Sequence, residues 1–115
     1  MPDPLDNWTV QARKGLVELA ILNALAGEER YGYDLVKTLV AAPGLAVSEG
    51  TVYPLLSRLR AQGLVRTRLV ESPEGPARKY YALTPQGRTA ARRMNDYLDD
   101  LLRGVRSLRR QGDRS

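Results

Sequence analysis

Residues 47–65, VSEGTVYPLLSRLRAQGLV, constrain the fold of this chain more than any other stretch. Val52, Leu55, Leu56 and Leu59 line one side at helical steps. Ser48 precedes them as a good N-cap, Glu49 places a negative charge in the first turn, and Gly63 closes the end. Yet Pro54 stands inside that helix. Proline lacks an amide hydrogen and crowds the preceding turn, so it should tilt or loosen the segment from Ser48 to Tyr53. The side away from the leucines carries Glu49, Gly50, Thr51, Tyr53, Pro54, Ser57, Arg58 and Arg60. Gly50 lets the backbone approach another molecule closely, Thr51 offers a hydroxyl or a methyl group, and Tyr53 offers a phenol. The plainer reading of the same side chains is a solvated helix face.

The neighbouring elements are short. Pro2 and Pro4 resist regular structure, so residues 1–9 read as a tail. A helical pattern runs from about Val10 to Ala26, with Leu16, Val17, Leu19, Ala20, Ile21, Leu22 and Leu25 forming a broad buried face that only Asn23 interrupts. Residues 28–30 are a charged turn. RYGYDL opens a second helix over Gly32–Val40, with Leu35, Val36 and Leu39 facing inward, and Pro43 and Gly44 stop it. Tyr31 and Tyr33 either support this helix pair or reach a phosphate. LVRTRLV, residues 64–70, and ARKYYAL, residues 77–83, read as strands joined by the turn-rich ESPEGP, residues 71–76. Tyr80 and Tyr81 are adjacent in a strand and face opposite ways, so one belongs to the core.

Thr84 and Pro85 then start a helix that runs to about Arg110. Its stripe is Ala90, Met94, Tyr97, Leu101, Val105 and Leu108, widened by Leu98 and Leu102. Such a seam on so small a domain is built for a partner helix, the alternative being a cap over the chain's own core. The expected fold is mainly α with a two-stranded β wing: a winged helix-turn-helix at 10–83, a dimerisation helix at 84–110, and a flexible tail at 111–115.

Charge points the same way. The 115 residues carry a formal net charge of +5. From Arg58 to Arg93 nine basic residues face only Glu71 and Glu74, a clustered positive field suited to phosphate. There is no cysteine and no histidine, which removes disulfides, thiol redox chemistry, almost every zinc or copper site and the commonest general base. No metal and no cofactor is expected. No apolar run approaches the ~18 residues of a membrane span, and the start, MPDPLDNW, is unlike a signal peptide. These features predict a cytoplasmic protein.

In a winged helix-turn-helix the third helix enters the major groove, and a dimer sets two such helices about 34 Å apart, one turn of DNA. The expected partner is therefore double-stranded DNA with a nearly palindromic site, bound by a homodimer. Ser48, Glu49, Gly50, Thr51, Tyr53, Pro54, Ser57, Arg58 and Arg60 are the candidate reading surface. Arg68, Arg78 and Lys79 are the candidate wing contacts. Trp8 has two readings, an anchor for the tail or a wall of an effector site between subunits. Two other functions compete with this one. A winged-helix module that binds protein without specific DNA binding would show an apolar third-helix face, and this one is mixed polar with arginines. An enzyme would need a site, and Asp96, Asp99 and Asp100 lie on the solvent side of an amphipathic helix.

LAILNALAGEERYGYDL, VSEGTVYPLLSRLRAQGLV and RKYYALTPQGR resemble the PadR family of bacterial transcriptional regulators, in its short-tailed members, over roughly residues 14–110. The resemblance implies a homodimeric repressor whose trailing helix pairs with the other subunit and packs on its N-terminal helix. It places Ser48, Gly50, Thr51, Tyr53 and Pro54 in the reading-helix motif. Arg78, Lys79 and Tyr80 then stand at the basic end of the wing, and Thr84, Pro85, Gly87 and Arg88 at the start of the dimerising helix. Some members of that family respond to phenolic acids or flat hydrophobic drugs at the dimer centre, so a small hydrophobic or phenolic effector is an expected further partner.

Overall fold

Side-chain caps start the first and last helices of the computed structural model; the structure describes residues 3–114, and Met1, Pro2 and Ser115 of the expected tails lie outside the described residues. The order is α1 (Pro4–Arg13), α2 (Leu16–Ala24), β1 (Arg30–Tyr31), α3 (Gly32–Val40), α4 (Glu49–Ala61), β2 (Val65–Ser72), β3 (Gly75–Leu83) and α5 (Pro85–Asp113).

The N-terminal segment corrects the sequence reading. Residues 4–9 belong to a helix, not a tail. Pro4 occupies the first helical turn, where no amide hydrogen is needed, and the Asp3 carboxylate accepts from Leu5 N at 2.9 Å. The expected continuous helix from Val10 breaks at Lys14–Gly15, where Gly15 takes φ +82°, a conformation open to glycine. α1 and α2 are therefore separate helices.

The sheet also differs. The expected two-stranded wing is present as β2 and β3, and a third strand, β1, adds to it by pairing antiparallel with β3 (Arg30 with Tyr81, Tyr31 with Tyr80), giving the order β1-β3-β2. Two residues are too few for an alternating pattern to show in sequence. The hairpin is tighter than ESPEGP suggested. Pairing continues to Ser72 with Gly75, through an irregularity between Val70 and Ser72, and only Pro73 and Glu74 turn the chain. Pro76 is tolerated because β1 does not reach that far along β3, leaving one edge free.

The core joins α2, α3, α4, the sheet and the start of α5. Ile21, Leu22, Leu35, Leu39, Val52, Leu56, Leu59, Val65, Tyr81, Leu83 and Ala91 are buried in one cluster. Of the tyrosine pair, Tyr81 is the core residue. Burial pushes its phenol up from the ordinary 10.0, with the neighbouring Tyr53 adding to the rise and Arg60 opposing it. The folded state thus keeps a proton that the unfolded chain releases first, so this contribution to stability is present below pH ~10 and is lost as pH rises beyond it. Thermal melts from pH 8 to pH 11 should show a fall in stability above pH 10 that is smaller in Tyr81→Phe.

α5 begins as expected and runs further, through Asp113. The Thr84 hydroxyl accepts from Gly87 N at 3.0 Å and donates to the Gly63 carbonyl at 2.6 Å, joining the helix start to the turn after α4. Asn23 and Asn95 face each other across α2 and α5, each amide donating to the other's oxygen at 3.0 and 2.8 Å. The polar interruption seen in the first helical pattern is thus a register pair for α5.

Candidate nucleic-acid interface

α4 turns its leucine side inward and leaves Ser48, Glu49, Gly50, Thr51, Tyr53, Pro54, Ser57, Arg58 and Arg60 exposed. The helix passes through Pro54 without a break. With no N–H at residue 54, the Gly50 carbonyl loses its partner in the helix ladder. The first turn is tightened, because the Ser48 carbonyl accepts from both Thr51 N (3.0 Å) and Val52 N (3.2 Å). Ser48 occupies the N-cap position, but its hydroxyl makes no capping bond to the backbone; it pairs with the Thr51 hydroxyl at 3.3 Å. That contact orients Thr51. Gly50 has no tertiary reason to be glycine, since a Cβ there would meet only Ser48 Oγ, at 3.8 Å.

The sheet register divides the wing cations. Lys79 lies on the face shared with Tyr81 and Leu83, the side packed on the helices, and pairs across the hairpin with the exposed Leu69. Arg68 and Arg78 lie on the opposite face. Each is engaged there. Arg68 grips the Glu29 carboxylate, with Nε at 2.9 and 3.1 Å from its two oxygens and Nη2 also in contact. Its guanidinium lies 5.6 Å from the Tyr80 ring centre, while Arg78 lies 5.0 Å from that of Tyr31. The hydrogen bonds from Arg68 hold the Glu29 carboxyl below its ordinary value of 4.5, against the opposing effect of burial. Tyr31 stacks at 5.8 Å from Tyr80 and 6.2 Å from Tyr33; Tyr31 is half-buried, whereas Tyr33 is exposed beneath Lys37 rather than supporting the core.

The structure therefore brings the α4 residues together on one surface and sets Lys79 on the same side of the sheet as α4. It places Arg68 and Arg78 on another face. Arg58 is turned toward α2, where its guanidinium is ion-paired with Glu18. Arg60, Arg66 and Lys79 make no ion pair among the described residues. Glu18 and Glu29 escaped sequence reasoning; the only hint for Glu18 was a carboxylate set between the apolar Val17 and Leu19.

The long helix divides too. Met94 packs on the chain's own core, and Ala90, Leu98 and part of Tyr97 and Leu101 line a groove of about 570 Å³ against Leu16, Glu18 and Leu19 of α2. From the groove's rim outward the stripe is uncovered: Tyr97 is 71% exposed, Leu101 50%, Val105 58% and Leu108 68%, with Leu102 also exposed. Trp8 is exposed on α1 and is not among the groove's walls. Asp96, Asp99 and Asp100 are exposed, and Asp100 pairs with Arg103 at 3.3 Å. No helix among the described residues is long and apolar enough to cross a membrane, and no group of three histidine, cysteine or acidic side chains among them is placed to hold a metal ion.

The chain is similar to known transcriptional regulators. Residues 21–93 match the transcriptional regulator PadR-like family. A curated transcriptional regulator of Mycobacterium tuberculosis, Rv3488, is 39% identical over 81% of this chain and 85% of its own. Among solved structures, a PadR family transcriptional regulator from Eggerthella lenta superposes with TM-score 0.79 at 31% identity, covering 90% of each chain. A PadR-like transcription factor from Bacteroides fragilis superposes with TM-score 0.74 at 38% identity, covering 89% of this chain and 98% of that one.

Proposed function

Because this chain belongs to the PadR-like family of transcriptional regulators, we propose that it acts as a homodimeric repressor that reads an inverted-repeat duplex with α4. One observation supports this most: the outward side of α4 carries a glycine, an oriented threonine hydroxyl and a phenol that the chain's own packing does not require. Thr51 reads a base edge, and Gly50 lets the backbone approach. Tyr53, Ser57, Arg60 and Lys79 contact phosphate, with Ser48 and Glu49 framing the first turn. The uncovered stripe of α5 pairs with a second copy, setting the two reading helices one DNA turn apart. A small apolar effector would have the groove between α2 and α5 to enter. As a DNA-bound regulator the protein works in the cytoplasm, at the chromosome.

Selection of bound duplexes from a random pool, at two salt concentrations, tests the reading. The expected product is a half-site repeated with dyad symmetry at a spacing of about 10 base pairs, with affinity falling steeply as salt rises. Thr51→Ala should change the ranking among duplexes by about tenfold at one position, in line with the ~1–3 kcal/mol carried by a base contact. Uniform weakening of every duplex would assign Thr51 to the backbone instead.

A further inference from the structure

We propose that Glu18 is a positioning residue that holds Arg58 away from DNA phosphate and thereby sets the protein's affinity for duplexes. This rests on the reading of α4 as the DNA-facing helix. Arg58 and Arg60 both project from its exposed side, yet they differ. Arg60 makes no ion pair among the described residues, whereas the Arg58 guanidinium is paired with the Glu18 carboxylate across the α2–α4 contact. The carboxylate is the anchored partner. Its side chain is 24% exposed, in the first turn of α2 at the edge of the groove shared with α5, while that of Arg58 is 55% exposed at the end of a long flexible stem.

A carboxylate offers a guanidinium the same anionic oxygens that a phosphate does. Glu18 is therefore an internal competitor already in contact, and DNA must displace it before Arg58 adds to the interface. A pair as exposed as this one is weak enough for a phosphate to displace. Arg58 would then contribute late and at a discount, and affinity for all duplexes would be lower than the count of cations suggests. The contact carries no base information, so its release should act on every sequence alike.

The test is a titration of the full chain, by fluorescence anisotropy, with the duplex recovered by selection and with a scrambled one. Wild type, Glu18→Gln, Arg58→Ala and the double variant are compared at several salt concentrations. Glu18→Gln should tighten both duplexes about two- to fivefold and steepen the salt dependence by up to ~0.9, the value of one further phosphate contact. In the Arg58→Ala background the same change should alter affinity less than about twofold, because the partner it releases is gone. Glu18→Asp, which keeps the charge but shortens the arm, should tighten binding in the same direction as Glu18→Gln. Weaker binding by Glu18→Gln would show instead that the pair braces α4, and equal tightening with and without Arg58 would show a general charge effect; either result overturns the proposal. If the wild-type chain binds no duplex at low salt, the reading of α4 fails first, whereas wild-type binding left unchanged by Glu18→Gln removes only the role of Glu18.

Discussion

Replacing Gly87 with alanine is expected to lower the melting temperature by about 5–15 °C, the size of shift that ~1–3 kcal/mol produces in a domain of this size. A Cβ on Gly87 would lie 2.0 Å from the Leu64 carbonyl oxygen and 3.0 Å from its carbon. The obstacle is backbone, so no rotamer change relieves it. That same oxygen accepts from Thr84 N at 3.1 Å, and Thr84 Oγ1 bridges Gly63 and Gly87. Making room means lifting the first turn of α5 off the chain, which combines overpacking at ~1–3 kcal/mol with loss of a cap at ~1 kcal/mol. Alanine's helix propensity returns only about 1 kcal/mol. Gly104 supplies the control. It sits in the same helix, where a Cβ meets nothing within 4 Å, so Gly104→Ala should raise the melting temperature slightly. A Gly87→Ala protein that melts within a degree or two of wild type would mean that the junction between α5 and the turn after α4 is looser than its geometry indicates.

The second large effect concerns assembly. Leu101→Asp is expected to convert the proposed dimer to single chains at micromolar concentration and to reduce affinity for the selected duplex by about 100-fold or more, the order of gain that linking two binding modules supplies. Tyr97, Leu101, Val105 and Leu108 form an exposed stripe on a helix about 43 Å long at ~1.5 Å per residue. Full burial of such a side chain contributes about 1.5–3 kcal/mol. In a two-fold interface each substitution acts twice, and an aspartate at the centre adds the cost of burying its charge. Sedimentation equilibrium distinguishes 12.8 kDa chains from pairs. If Leu101→Asp leaves mass and affinity as in wild type, the stripe is not the seam between copies.

Much of the architecture could be read from local rules. Thr84 followed by Pro85 announced the start of α5, Pro43 and Gly44 the end of α3, and the steps between Val52 and Leu59 the buried side of α4. Adjacent tyrosines at 80 and 81 had to face opposite ways, and burial selected Tyr81. The misreadings share one cause, which is that a residue type had two local meanings. Pro4 as a helix breaker and Pro4 as a first-turn residue are the same residue until Asp3 is seen to cap the helix. Arg30 and Tyr31 became a strand only because β3 was beside them.

Periodicity and capping chemistry act within a few residues, so the sequence by itself determined the order of elements from α3 onward, the outward side of α4 and the long apolar stripe of α5. Charge pairing and close approach act across folded distances, and these the tertiary structure alone decided. Arg68 is taken up by Glu29, 39 residues earlier, and Asn23 meets Asn95, 72 residues later. Arg58 is held by Glu18, and Gly87 is pressed against Leu64. Fifteen arginines look alike along the chain. Which of them is left to meet a phosphate depends on the carboxylates and rings that folding sets beside each one.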